Sequence, residues 1–162
     1  PLWPANGDAL ARGDLGWVRR TTRRMTVVSV LAALVPGSVL ALSGDRLLAA
    51  WLPLPPGTDR WLLVGLAAWM VTLAANSPRT MVQNAAGVVR PQLLGVSLYL
   101  VLSTVGKWYA ARWYGIHAVP YVSVLGYALT VVPCAWYGYR RTLATHPPHR
   151  RSQPRPVLAA HP

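Results

Sequence analysis

The chain has 162 residues, 53% of them hydrophobic, and sets 16 Lys and Arg against four Asp and no Glu, a formal charge of +12. That length bounds one domain, and the single cysteine, Cys134, excludes a disulfide framework or a thiolate metal site. The excess of cations invites a nucleic-acid reading, but they cluster between and beyond long apolar runs, which is the membrane pattern, so no nucleic-acid partner is expected.

Residues 1–24 read as the end of an earlier element, a cytoplasmic loop and a basic lead-in helix. Asp14 is placed to cap that helix, because a carboxylate there accepts the orphan N–H groups of the first turn. Trp17, Val18, Thr21 and Met25 share one of its faces, and Arg19, Arg20, Arg23 and Arg24 the other. The spacing predicts a helix lying on the membrane surface; its arginines either anchor by snorkelling or meet an anionic headgroup.

Four apolar runs follow, predicted as membrane helices over about 25–43, 61–81, 93–111 and 116–137, within a transmembrane region spanning 25–139. The first carries Pro36 and Gly37 in its middle, an interruption that membrane helices tolerate. A Pro-rich connection over 44–60 is too short to cross, so 47–52 is expected along the outer interface with Trp51 as anchor. The second run has fifteen apolar residues before Asn76, only ~22 Å of helix, and spans the bilayer only by continuing through Pro78. Lys107, Trp108, Tyr109, Arg112, Trp113 and Tyr114 form one aromatic-cationic belt; Trp136, Tyr137 and Tyr139 form another. Residues 140–162 are basic, Pro-rich and poor in apolar residues, and are expected to be a disordered cytoplasmic tail. The fold class is therefore all-α integral membrane with four transmembrane helices.

Counting cations on either side of these runs gives twelve on the side of both chain ends and four (Arg46, Arg60, Lys107, Arg112) on the other. Both termini are thus expected in the cytoplasm. No run contains Asp or Glu, so a proton or Na⁺ relay is not expected in this piece. Catalysis is not expected either, since the four aspartates lie in loops without a histidine at usable spacing. His146 and His149 lack a third ligand, and no cofactor or metal is called for.

The candidate binding residues are Arg79, Asn76, Asn84, Lys107 and Arg90. Arg79 lies ~27 Å along its helix from Trp61, and Lys107 ~21 Å from Leu93, so each can snorkel to the nearer interface. The other reading puts both cations in a water-filled cavity, where charge at membrane depth marks a substrate path. Pro78 frees the carbonyl of Ala74, which Asn76 or Ser77 is placed to cover or to offer to a ligand.

In order, ALARGDLGWVRRTTRRM, SGDRLLAAWL, NAAGVVRPQLLG and YGIHAVPYVSVLGY resemble the bacterial polysaccharide or O-antigen flippase family, over about residues 9–141. The lack of Phe, Pro120 and Pro133 depart from its pattern. The resemblance implies a superfamily shared with multidrug exporters: two six-helix lobes across a cavity, roughly twelve helices in all. These four would be the last of the C-terminal lobe, and the chain a fragment partnered by the remaining helices. The implied function is moving a lipid-linked oligosaccharide, a sugar on a polyprenyl pyrophosphate, across the bacterial inner membrane, with membrane lipids as the other partner. A multidrug or metabolite exporter of the same fold, a four-helix scaffold protein and a membrane glycosyltransferase are the competing readings; the last lacks a placed acid or base.

Overall fold

The computed structural model describes residues 2–51 and 60–145, all of whose regular structure is helical. α1 (Leu2–Ala11), α2 (Leu15–Trp51), α3 (Arg60–Ala85), α4 (Arg90–Trp113) and α5 (Val119–Thr145) follow in order, with a 3-10 turn, Ile116–Ala118, leading into α5. Four of the helices are long and apolar enough to cross a bilayer. Only 6% of the apolar window of α2 is buried inside the bundle, and Val27, Val28, Leu31, Val35 and Leu42 are exposed along it. Apolar surface on that scale is stable only against lipid, which makes this a multi-pass membrane protein.

Local sequence sets the turns. Asp14 Oδ1 accepts from the Trp17 N–H at 2.9 Å, the expected cap of α2. Gly13, at φ 71°, ends α1 with Asp14 N donating to Ala9 O and Gly13 N to Leu10 O. Gly87, at φ 70°, ends α3 with the same pair of bonds, from Val88 N to Gln83 O and from Gly87 N to Asn84 O. Both are left-handed glycine caps that satisfy the last carbonyls of a helix.

Three expectations need correction. The lead-in helix does not lie on the surface as a separate element: α2 is one helix of 37 residues, ~55 Å long, running through Met25, Pro36 and Gly44. Its first turns stand upright because their apolar face is already occupied. Val18 is fully buried with Ala9, Leu10 and Val82, and Trp17, Tyr139 and Leu143 close around them. Nor does α2 break at Gly44 to leave 47–51 as an interfacial stretch. A Cβ at Gly44 would lie 2.6 Å from Leu63 of α3, so this glycine marks helix contact rather than helix end. Residues 140–145, expected in the tail, continue α5, because Leu143 packs on the Val18 cluster and Thr142 is fully buried. The disorder expected for 146–162 and the connection 52–59 lie outside the described residues.

α3 is central. It packs on α2 along one side and on α5 along the other, while α4 packs on α5 and α1 covers one end. Small residues set the close approaches: Gly65 lies under Pro120 and Tyr121, and Gly95 under Cys134. Without a hydrophobic drive between helices in lipid, such fitted backbone contacts carry the association.

Candidate functional site

A buried polar contact joins α3 to α5. Gln83 is fully buried; its Nε2 donates to Ala135 O at 2.9 Å and more weakly to Arg79 O at 3.3 Å. A Cβ on Gly138 would fall on Gln83 Oε1, so the absent side chain at 138 is what lets α5 close over the amide. Gln92, on α4, reaches the same helix, donating to Thr80 O at 3.1 Å.

Toward the middle of the bundle lies a group of three rings. Trp69 of α3 stacks on Tyr99 of α4 at 5.9 Å, and Tyr127 of α5 stands edge-on to both, at 5.3 and 5.6 Å. Asn76, only 2% exposed, donates its Nδ2 to the Tyr127 hydroxyl at 3.1 Å, and its Oδ1 has no protein partner. Lys107 joins the group from two turns away, its Nζ 5.6 Å from the Tyr99 ring centre. Long helical side chains point back toward the helix N-terminus, and Lys107 follows that direction, setting its charge over the ring. Three half-buried rings, a buried amide and a half-buried ammonium from three helices thus form one polar-aromatic cluster.

The Asn76–Tyr127 bond yields a direct test. Tyr127→Phe leaves a buried amide with neither end satisfied and is expected to cost about 1–2 kcal/mol. Thermal unfolding in detergent should show the loss, and Asn76→Leu in the same background should restore most of it. A silent Tyr127→Phe would show that the bond contributes nothing.

The second group sits near the other end of α3. Arg79 donates through one terminal nitrogen to Ala75 O at 3.0 Å, one residue on from the carbonyl that Pro78 leaves without its helical donor. Asn76 and Ser77 do not do this, contrary to expectation: Asn76 is committed across the bundle to Tyr127. The Arg79 guanidinium lies 5.4 Å from the centre of the Trp136 ring, and Arg140 lies 5.1 Å from the same ring. Two cations therefore share one aromatic side chain, with no carboxylate in ion-pair contact among the described residues.

Of the five residues expected at a site, Asn76 and Lys107 belong to the ring group and Arg79 to the Trp136 group. Asn84 is exposed one turn beyond Arg79. Arg90 opens α4, exposed beside a surface groove lined by Pro91, Leu94, Pro133, Cys134 and Tyr137. The structure does not bring those two to either group. Trp69, Tyr99, Tyr127, Gln83 and Arg140 were not expected. Trp69, Tyr99 and Tyr127 carry one signal, a polar-tipped aromatic inside an apolar run and away from the belts; Gln83, beyond the predicted run, and Arg140, in the basic tail, carry none.

A small chamber of about 80 Å³ lies between α1, α2 and α3, lined by Asn6, Thr21, Thr22, Ser29, Ser77 and Pro78 among others. Asn6 Oδ1 and Thr22 Oγ1 are buried without a protein partner, and the chamber is roomy enough for water to meet them. No group of three or more His, Cys, Asp or Glu able to hold a metal occurs among the described residues. Comparison with models of known families, with curated proteins and with solved structures finds no match to the chain.

Proposed function

We propose that the chain contributes four helices to one lobe of a two-lobe transporter that moves a polyprenyl-pyrophosphate-linked oligosaccharide across the bacterial cytoplasmic membrane. The observation that carries this reading is the set of cations held against aromatic rings on apolar helices, Lys107 over Tyr99 and Arg79 with Arg140 around Trp136, with no acid paired to them among the described residues. A pyrophosphate leaving water needs guanidinium donors in a medium of low dielectric, and a sugar needs aromatic faces and amides. Tyr99 and Tyr127, half-buried, are the nearest such faces, with Asn76 buried behind them as a partner of Tyr127. The polyprenyl tail remains in lipid throughout, and one lobe rocking against the other exposes the substrate to each side in turn.

Deleting the complete gene is expected to abolish the surface glycan and to leave lipid-linked oligosaccharide accumulating on the inner leaflet. Re-expression should restore the one and clear the other. Unchanged surface glycan together with new drug sensitivity would favour an exporter, and no phenotype in either assay would favour a scaffold.

Orientation is the other part of the proposal. Both described ends face the cytoplasm, with 44–60 and 112–117 outside, on the strength of the twelve-to-four division of cations. In a Cys134→Ser background, Gly57→Cys should react with a membrane-impermeant maleimide added to intact cells. Labelling of that cysteine only after the cytoplasmic side is opened would reverse the topology.

A further inference from the structure

We infer that the basic end of α2 is a binding site for an acidic phospholipid, its phosphate held by Arg20, Arg23 and Arg24 and its acyl chain laid along Val27, Val28 and Leu31. The site stands independently of the transport reading. Positions 20, 23, 24, 27 and 28 follow helical spacing, so all five fall on one face of α2. Together they line an open groove of about 520 Å³, and each is exposed. Leu31, one turn further and 57% exposed, continues the apolar track.

Two features fix where this face points. Val18 and Thr22, on the opposite side of the same turns, are buried, and Val18 is locked among Ala9, Leu10 and Val82. The helix cannot roll without opening that cluster, so the three arginines face away from the other described helices. The length of α2 then sets their depth. A helix of ~55 Å exceeds a ~30 Å hydrocarbon core, and the apolar part begins just after Arg24. The guanidinium groups therefore stand at headgroup level, with Val27 and Val28 immediately beneath at the level of the first acyl carbons.

Charge selects the occupant. The nearest carboxylate in sequence, Asp14, caps the helix by accepting from the Trp17 N–H, and none of the three arginines has an ion pair among the described residues. A zwitterionic lipid brings its own ammonium to this cluster, whereas an acidic one brings phosphate without that cation. The apolar track below the charges distinguishes a lipid from a free anion.

The test measures spin-labelled phosphatidylglycerol against spin-labelled phosphatidylcholine on the protein reconstituted in phosphatidylcholine bilayers. Wild type should prefer the acidic lipid by a factor on the order of 10 to 100, as three cations near an anionic headgroup imply. The variant R20Q/R23Q/R24Q should lose the preference, while R46Q/R60Q/R112Q should keep it. Equal preference in the first variant, or equal loss in the second, would overturn the site. So would displacement of the lipid by inorganic phosphate. Should the first variant not fold, wild type in molar salt decides: the Debye length is then ~3 Å, and the preference must vanish.

Discussion

Gly138→Ala is expected to destabilise the protein by roughly 2–4 kcal/mol, combining overpacking with loss of a buried interhelical hydrogen bond. The added methyl lands on Gln83 Oε1, with Gln83 Cδ at 2.8 Å and Pro91 Cβ at 3.3 Å. An exposed glutamine would swing aside at little cost. This one has no exposed surface and holds Ala135 O from α3 to α5, so it moves only by breaking the contact. Its amide has nowhere polar to go in the bundle interior. Melting in detergent should report the loss, and the pairwise origin supplies a second reading. Gln83→Ala alone removes one bond, whereas Gln83→Ala combined with Gly138→Ala should be more stable than Gly138→Ala by itself. If the double variant is the least stable of the three, the clash with Gln83 is not the cause.

On the proposed transport function, Arg79→Ala is expected to lower transport by a factor of ~100, and Arg79→Lys by ~10 or more, at unchanged protein level. The distinction rests on what each side chain retains. Arg79 bonds the carbonyl of Ala75 and lies over Trp136, and a lysine can do both from the same position. The planar fork is what lysine lacks, since a pyrophosphate oxygen pair is met by two parallel N–H groups only from a guanidinium. A residue that merely anchors the helix in the headgroup layer would thus tolerate lysine without loss. Surface glycan in a flippase-deficient cell carrying the complete protein and each variant measures the difference. Normal glycan with Arg79→Ala would show that Arg79 serves the helix and not the substrate.

Hydropathy and local chemistry were legible in the residues. The four apolar runs became four long helices because a run of some twenty uncharged residues has few alternatives to a backbone that satisfies itself. The Asp14 cap was equally readable, since it depends on groups within a few positions. The helix ends were less so. Gly44 and Asp45 read as a loop, and the tail read as disorder from Arg140, because composition weighs each residue without its neighbours in space. Leu63 turned Gly44 into a contact, and the Val18 cluster extended both α2 and α5.

The candidate residues show the same division. That Arg79, Asn76 and Lys107 are polar groups on apolar helices is a property of the sequence alone, and so is the lack of any intramembrane acid. Their partners are not. Asn76 meets Tyr127 across 51 positions and Gln83 meets Ala135 across 52, distances over which no hydropathy period carries information. Which face of α3 turns toward α5 is settled by the fit of small residues such as Gly65 and Gly138 against bulky ones. That choice also placed Trp69 beside Tyr99 and Arg79 beside Trp136. The sequence determined that four helices cross the membrane with their cations mostly at one end. Only tertiary packing decided which of those cations lie over rings and which stand exposed on α2, because helix rotation in lipid is set by close backbone contact and not by hydrophobicity.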